Sequence, residues 1–260
     1  MQLKMENKKI VLLCGKGTSS SIVFNSLNKK FGVYTAIIEN PIARKKLIKG
    51  RLKRLGLFKV IGQLLFQVGV IPVLGFLSKK RRNQILEQNA MNATSIPADK
   101  SVYVNSVNDI ETIELLKKIN PDLIIVNGTR IISKKVLEAV SCDFINTHAG
   151  ITPKYRGVHG TYWALYNKDS ENSGVTVHFV DAGIDTGSVI YQDTVTITNQ
   201  DNFSTYPFLQ LAKGLEILNR AVEDYFNDSV KTSKPNLESK LWYHPTLFQY
   251  LYGRFINNVK

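Results

Sequence analysis

The stretch KKIVLLCGKGTSSSIVFNSLNKKFG, residues 8–32, decides the fold class. Its apolar run Ile10–Leu13 is short and unbroken, which is typical of a parallel strand buried on both faces of a sheet. Gly15 and Gly17 follow in a tight turn, and the Thr and Ser residues after them can cap a helix. The stretch therefore predicts a strand, a glycine-containing turn and a helix, in that order.

The same alternation returns along the chain. Apolar or alternating runs predict further strands at 33–39, Leu123–Val126, 143–148, 174–181 and 188–197. Segments with helical spacing separate several of these runs. We therefore predict an α/β fold, with a Rossmann-like, mainly parallel sheet flanked by helices.

The length of 260 residues, with 43% hydrophobic residues, is enough for the core of one large domain. We predict a main domain over residues 1–205, with a basic helical insertion at about 44–90. Residues 206–260 are predicted to form a C-terminal helix and an aromatic tail that pack on the main domain.

The net charge of +13 comes from one segment of the chain. Residues 44–82 hold twelve Lys and Arg and no Asp or Glu, while the rest holds 22 basic and 21 acidic residues. Nucleic-acid binding by the chain as a whole is therefore not expected. An anionic partner is expected for this segment, because its uncompensated positive charges repel one another.

The apolar middle of the same segment predicts amphipathic helices. Lys59, Gln63 and Gln67 interrupt it and Pro72 is expected to break it, so a transmembrane helix is not predicted. Four interpretations stay open: a solvated basic hairpin, which ranks slightly ahead, contact of residues 44–82 with an anionic membrane surface, a cap over the active site, or a homodimer contact.

The cysteines and the N-terminus indicate the compartment. Cys14 and Cys142 are too few for a disulfide framework and fit a reducing environment. Residues 1–17 show no long apolar region and no small-residue cleavage site, so secretion is not expected. We predict a cytoplasmic protein, either free or peripheral to the inner face of the membrane.

Three loops follow the predicted parallel strands, namely Gly15–Ser21, Asn127–Arg130 and Asn146–Tyr155. Ligands of open parallel sheets bind beyond the carboxyl ends of the strands. We therefore expect the three loops to face one crevice.

The third loop begins with an unusual pair. Asn146 and His148 are two residues apart in a strand, so their side chains point to the same face. An amide and an imidazolium both donate hydrogen bonds, and two converging donors suit an oxygen that becomes negative during a reaction. Asp185 lies between two glycines on a loop that can approach this pair, where a carboxylate would tune the imidazole and pass protons. The histidines lack zinc-motif spacing, so no metal is predicted.

The stretches FINTHAGITPKYRGVHGTYWAL (144–165) and SGVTVHFVDAGIDTGSVIYQ (173–192) contain Asn-x-His, Pro-x-Tyr-x-Gly, a Gly-Val-Thr-x-His strand and Asp-x-Gly-x-Asp-x-Gly. In this combination they resemble the folate-dependent formyltransferase family. The resemblance covers roughly residues 123–195 and is weaker at the first strand. The chain departs from the family at Ala149–Pro153, where many members have Ser-Leu-Leu-Pro.

The resemblance implies a role for each matching residue. Asn146 and His148 would hold the formyl oxygen of the co-substrate N10-formyltetrahydrofolate. Asp185 would keep His148 protonated and relay protons while an amine attacks the formyl carbon, whereas His178 is usually structural. The implied cofactor-binding residues are Asn127, Gly128, Thr129, Arg130, Ile131 and Ile132, which match the loop around the pterin, together with Asp181 and Gly183.

The acceptor amine is less determined than the chemistry. RGVHGTYWAL most resembles the sugar-nucleotide N-formyltransferases, so we predict a nucleotide-linked amino-deoxysugar used in surface glycan synthesis. Glycinamide ribonucleotide, methionyl-tRNA and a lipid-linked amino sugar stay open, although the length leaves no room for the full C-terminal domain of the methionyl-tRNA enzymes. A non-catalytic folate- or nucleotide-binding scaffold at the membrane also stays open as an interpretation.

The candidate substrate-binding residues have structural alternatives. The candidates are Gly15, Lys16, Gly17, Ser20, Tyr155, Arg156, His159 and Trp163. The two glycines could equally form an ordinary turn, Tyr155 and Arg156 could be surface residues, and Trp163 could belong to the core.

Overall fold

The computed structural model describes residues 8–260. Part of the N-terminal segment behind the expectation about secretion, residues 1–7, lies outside the described residues. The strands are β1 (Ile10–Gly15), β2 (Val33–Glu39), β3 (Ser101–Val104), β4 (Leu123–Asn127), β5 (Phe144–His148), β6 (Arg156–Gly157), β7 (Gly174–Phe179), β8 (Val189–Thr194) and β9 (Leu241–Trp242). The helices are α1 (Thr18–Phe31), α2 (Arg44–Leu55), α3 (Leu57–Leu65), α4 (Ile71–Leu77), α5 (Lys79–Gln88), α6 (Ile110–Ile119), α7 (Lys134–Leu137), α8 (Gly160–Tyr166), α9 (Tyr206–Phe226) and α10 (Leu247–Phe255).

Seven strands form one sheet in the order β3-β2-β1-β4-β5-β7-β8. The strands β1 to β5 pair in parallel, and β7 and β8 join antiparallel at one edge. The strand order reverses between β1 and β4, which is where ligands of such sheets bind. The predicted α/β fold with a Rossmann-like, mainly parallel sheet is confirmed; β3 at the other edge was not predicted.

Helices cover both faces of the sheet. Leu12 of β1 lies in one core cluster with Phe24 of α1 and Leu218 of α9. Its neighbour Leu13 points to the opposite face and lies in a second cluster with Leu116 of α6. Because α9 shares the first cluster with the sheet, it packs as part of the main core. The boundary at residues 205 and 206 stays a prediction.

The basic insertion is helical, as predicted, and comprises α2 to α5 between β2 and β3. The expectation that Pro72 breaks the apolar run is wrong. A π-helical turn, Phe66–Val70, joins α3 to α4 and places Pro72 in the first turn of α4, where proline is accommodated. In the described part of the chain, the resulting helix Leu57–Leu77 is the one segment long and apolar enough to cross a membrane by length and composition, with a mean hydropathy of 2.0.

The aromatic tail contacts both the main domain and the insertion. The short strand β9 pairs in parallel with β6, and Trp163 Nε1 donates a hydrogen bond to Tyr243 O over 2.9 Å. Gln63 of α3 donates from Nε2 to His244 O over 2.7 Å. The ring of Tyr250 in α10 lies 5.0 Å from that of Phe66. The tail therefore joins the insertion to the main domain.

Candidate active site

A cavity of about 520 Å³ opens at the carboxyl ends of β4 and β5. Its wall consists of the loop after β4, the end of β5, the turn between β7 and β8, and segments of the insertion and the tail. The volume lies within the range of small-molecule sites.

Two of the three loops expected to face one crevice line this cavity. Residues 128–130 and 146–149 are in its wall, but none of residues 15–21 is. Ser20 lies beside the wall, where its Oγ accepts a hydrogen bond from Asn127 Nδ2 at 3.0 Å and donates one to Gly15 O at 2.6 Å. Of the candidate substrate-binding residues, Gly15, Lys16, Gly17 and Ser20 are therefore not in the cavity wall.

Asn146 and His178 form a neutral hydrogen-bonded pair in the cavity wall. His178 Nδ1 donates to Phe179 O over 2.7 Å, so its Nε2 is free to accept from Asn146 Nδ2 at 3.2 Å. Burial lowers the pKa of His178 below its ordinary value, which favours this neutral form. The contact fixes the Asn146 amide and leaves its second N–H for a ligand.

His148 lies between a backbone carbonyl and a carboxylate. Its Nε2 donates to Tyr155 O over 2.7 Å, because a carbonyl oxygen can only accept. Its Nδ1 lies 3.4 Å from Asp185 Oδ2. Nδ1 and this carboxylate therefore face each other within ion-pair distance.

Asp185 is held in place by its own loop. Its φ of 52° lies in the left-handed region, and its Oδ2 accepts from Gly157 N at 2.9 Å. Asp181 organises the same turn, because its Oδ1 accepts hydrogen bonds from Gly183 N at 3.0 Å and from Thr186 Oγ1 at 2.7 Å. Asp181 and Gly183 also line the cavity, and their role in binding the cofactor stays a prediction.

The loop after β4 is anchored by Glu39, a buried residue that the sequence analysis missed. Arg130 Nη1 lies 3.2 Å from Glu39 Oε2, and Val107 N donates to the same oxygen over 3.2 Å. Residues 128–132 line the cavity, whereas Asn127 contacts Ser20 instead. Ile131 is 54% exposed and offers an apolar surface at the rim.

Four candidate substrate-binding residues have structural roles instead. Tyr155 is 1% exposed and its hydroxyl donates to Asp169 Oδ2 over 2.7 Å, while Trp163 stacks on Trp242 in the core. Arg156 Nη1 donates to Ile184 O over 3.0 Å, next to Asp185. His159 Nε2 lies 2.9 Å from His244 Nδ1. None of these four lines the cavity, so we assign them to packing and to support of the site.

The insertion and the tail supply wall residues that the sequence analysis did not assign. Arg51, Arg54 and Gln63 come from the insertion, and Trp242 and His244 from the tail. Burial, and then the neighbouring charge of Arg54, lower the pKa of Arg51. Within residues 8–260, no ion pair joins either arginine to a carboxylate. The basic segment could have indicated Arg51 and Arg54 as binding residues, but no sequence motif near His244 indicates a place in the site.

The fold and the site define a class: an α/β domain in which an amide, two imidazoles and a carboxylate converge at the carboxyl ends of parallel strands. The family model described as "Formyl transferase" matches residues 67–222, which is more than half of the chain. The chain therefore belongs to the formyl transferase family.

Similar proteins agree with this assignment. The methionyl-tRNA formyltransferase of Finegoldia magna is 32% identical over 162 residues, which are 61% of this chain and 52% of that protein. The chain thus spans about half the length of the curated relatives it matches. A sugar N-formyltransferase from Shewanella has a similar structure, with a TM-score of 0.56, 15% identity and coverage of 90% of this chain and 76% of its own.

A second structure is that of an N-formyltransferase from Helicobacter canadensis. It has a TM-score of 0.54 and 19% identity, and the match covers 89% of this chain and 70% of its own. At these identities, the two structural matches establish the common fold.

Proposed function

We propose that the protein transfers a formyl group from N10-formyltetrahydrofolate to the amine of a nucleotide-linked amino-deoxysugar. The observation that supports this proposal is the convergence of Asn146, His148 and Asp185 at one cavity, with 3.4 Å between His148 Nδ1 and Asp185 Oδ2. Formyl transfer to an amine needs a hydrogen-bond donor at the carbonyl oxygen and a route for one proton. The second N–H of Asn146 offers the donor, and Asp185 beside His148 offers the route.

The cavity fits a folate. Val126, Ile132 and Val180 give it an apolar wall for a flat heteroaromatic ring, beside the polar backbone of the loop Gly128–Arg130. When bound, the folate supplies the formyl carbon and leaves as tetrahydrofolate. The free N–H of Asn146 donates to the oxygen that becomes negative. In the proposed reaction a protonated His148, supported by Asp185, adds a positive charge there. Asp185 would pass the proton released by the amine to N10 of the departing tetrahydrofolate.

Two arginines support an acceptor with phosphate groups. Arg51 and Arg54 are neighbouring positive charges in the cavity wall, and Arg51 is half-buried. Guanidinium groups bind phosphate oxygens well, and no carboxylate of the described chain neutralises these two. The Helicobacter canadensis protein was solved in complex with folinic acid and dTDP-3-aminofucose, a nucleotide-linked amino sugar.

A mass-spectrometric transfer assay tests the proposal. The protein is incubated with N10-formyltetrahydrofolate and a panel of nucleotide-linked amino sugars, with glycinamide ribonucleotide and lipid-linked amino sugars alongside. We expect one formyl group on one nucleotide-linked amino sugar and none with Asn146→Ala. Transfer to another acceptor would support the proposed formyl transfer but contradict the proposed acceptor. Folate binding without any transfer would favour the scaffold interpretation.

Methionyl-tRNA is the second candidate acceptor. It is favoured by the 32% identity to the Finegoldia magna enzyme and by the twelve basic residues in 44–82, which could contact phosphates. The same assay with aminoacylated initiator tRNA decides between the two acceptors. A product on the tRNA that disappears as salt is raised would support this candidate.

A further inference from the structure

The helical insertion and α10 leave a large apolar surface uncovered. In the helix Leu57–Leu77, Phe58 is 90% exposed, Val68 76% and Phe76 79%. In α10, Phe248 is 76% exposed and Phe255 74%. We call the exposed apolar residues of these two helices, together with Ile256 directly after α10, the docking face. It comprises Leu57, Phe58, Ile61, Leu65, Val68, Val73, Phe76, Leu77, Phe248, Leu251, Tyr252, Phe255 and Ile256.

The two helices present the docking face side by side. Both pack their inner sides on one core cluster, to which Phe66 and Tyr250 belong. They also touch each other, because a Cβ placed on Gly62 would lie 2.9 Å from Thr246 Cβ, just before α10. Their outer sides are therefore neighbouring apolar surfaces, of a kind that marks an interaction site.

Basic residues flank the docking face along the chain. Exposed lysines and arginines lie on α2, at Lys59, and at Lys79 and Lys80 just beyond Leu77. Neither 44–82 nor 239–260, the segments that form the face and its border, contains an Asp or Glu. Within residues 8–260, Arg81 is the one basic residue of 44–82 that an ion pair joins to a carboxylate. An apolar surface bordered by unneutralised basic residues complements anionic lipid headgroups above acyl chains.

We propose that the docking face binds peripherally to an anionic phospholipid bilayer, with the helix Leu57–Leu77 lying in the plane of the interface. A position of this helix across the bilayer is disfavoured, because Val60, Gln63 and Phe66 are buried and hold its inner side against the protein. A second copy of this chain is also disfavoured as the partner of the docking face, because a symmetric contact would bring the basic residues of the two copies together.

The position of the cavity gives this binding a consequence. Arg51 and Arg54 line the cavity from α2, and Arg51 Nη1 lies 3.4 Å from Gln67 Oε1 on the apolar helix. One wall of the cavity and the docking face thus belong to the same insertion. Binding would hold the cavity beside the membrane surface.

Vesicle flotation of the full chain, without folate or acceptor, tests the inference independently of the proposed function. The probes are phosphatidylcholine vesicles with and without phosphatidylglycerol. We expect at least roughly tenfold stronger binding to the anionic vesicles, lost as salt is raised. The variant Phe58→Ser with Phe76→Ser changes two well-exposed residues and is expected to bind at least roughly tenfold more weakly. Lys79→Gln with Lys80→Gln is expected to have a similar effect.

Matched controls lie on α6. Ile110→Ser removes a side chain that is 65% exposed, and Lys117→Gln with Lys118→Gln removes two exposed charges, all outside the docking face. These variants are expected to bind as the unmodified protein does. Equal binding to neutral vesicles, or no binding, overturns the proposal. A dimer in analytical ultracentrifugation that Phe58→Ser dissociates would also overturn the proposal, because the face would then bind a second copy. Vesicle-bound protein that alkaline washing cannot release would overturn it too, because the helix would then span the bilayer.

Discussion

At the scale of single residues, the site depends on which proton each nitrogen holds. His178 is fixed as an acceptor towards Asn146, whereas His148 donates from Nε2 and faces a carboxylate with Nδ1. Two histidines in one cavity wall thus have different partners, one an amide that it orients and the other a carboxylate. The difference comes from their backbone partners, Phe179 O and Tyr155 O.

Asp185→Asn tests the charge opposite His148. The asparagine Oδ1 can still accept from Gly157 N, so we expect the unfolding free energy to change by less than about 1 kcal/mol. The negative charge 3.4 Å from Nδ1 is lost, so kcat is expected to fall by roughly 10²- to 10⁴-fold. The measurement is the formyl-transfer rate at saturating substrates. Asp193→Asn on β8, outside the cavity, is the control; equal rates for the two variants would falsify the assigned role.

Gly150→Ala tests the close packing behind His148. A Cβ at this position would lie 2.8 Å from His148 Nε2 and would also meet Tyr155 O. The hydrogen bond between those two atoms is then displaced, so we expect at least a roughly tenfold loss of transfer rate and about 1–3 kcal/mol of destabilisation. Gly50→Ala on α2 is the control, since nothing lies within 4 Å of its Cβ position. A fully active Gly150→Ala protein contradicts the placement of His148.

At the scale of elements, β2 controls the loop that lines the cavity after β4. Glu39 ends β2 and accepts from the loop at Arg130, while Val107 N binds the same carboxylate. A residue outside the cavity therefore sets the position of residues inside it.

Glu39→Gln removes the charge from this anchor. Loss of the ion pair with Arg130 is expected to cost roughly 2 kcal/mol of unfolding free energy. We expect the KM for the formyl donor to rise by more than kcat falls, because the variant loosens the loop and leaves Asn146 and His148 in place. Steady-state kinetics with varied donor measures this split, with Glu114→Gln on the exposed side of α6 as the control. A change in kcat alone would speak against the positioning role.

The sequence was informative wherever local periodicity decides the structure. The period of two in β5 places Asn146 and His148 on one face, and the parallel sheet brings the ends of β4 and β5 together. The roles of the aromatic residues were harder to predict from the sequence. Trp163 is a core residue because it packs on Trp242 and donates to Tyr243 O, about 80 positions away. Pro72 was misjudged because a π-helical turn shifts its position in the helix, which no local rule anticipates.

At the scale of the whole molecule, the tail holds the insertion against the main domain through a histidine pair. His159 of the main domain lies 2.9 Å from His244 of the tail, and His244 O accepts from Gln63 of the insertion. Burial lowers the pKa of His159 to about 3 and that of His244 to about 4. The pair is therefore neutral in the folded protein at neutral pH.

This neutral pair makes the folded state sensitive to acid. An unfolded histidine takes up a proton near pH 6.5, while the folded pair resists protonation down to about pH 4, so the unfolded state binds more protons between these values. Stability is therefore complete above about pH 6.5 and falls as the pH falls through this window, by about 2 kcal/mol per histidine at pH 5. Denaturant unfolding at pH 7.5 and pH 5 measures the loss.

The variant His244→Gln isolates the contribution of the pair. His148 and His178 are unchanged in it, so their contributions cancel when its pH dependence is compared with that of the unmodified protein. We expect His244→Gln to be less stable at pH 7.5, because His159 loses its imidazole partner, yet to lose about 2 kcal/mol less between pH 7.5 and pH 5. An identical loss in both proteins would mean that the acid sensitivity arises elsewhere. If the loss is smaller, as expected, the pair between the tail and the main domain is a source of the acid sensitivity, and the part of the cavity wall that the tail supplies is expected to loosen in acid.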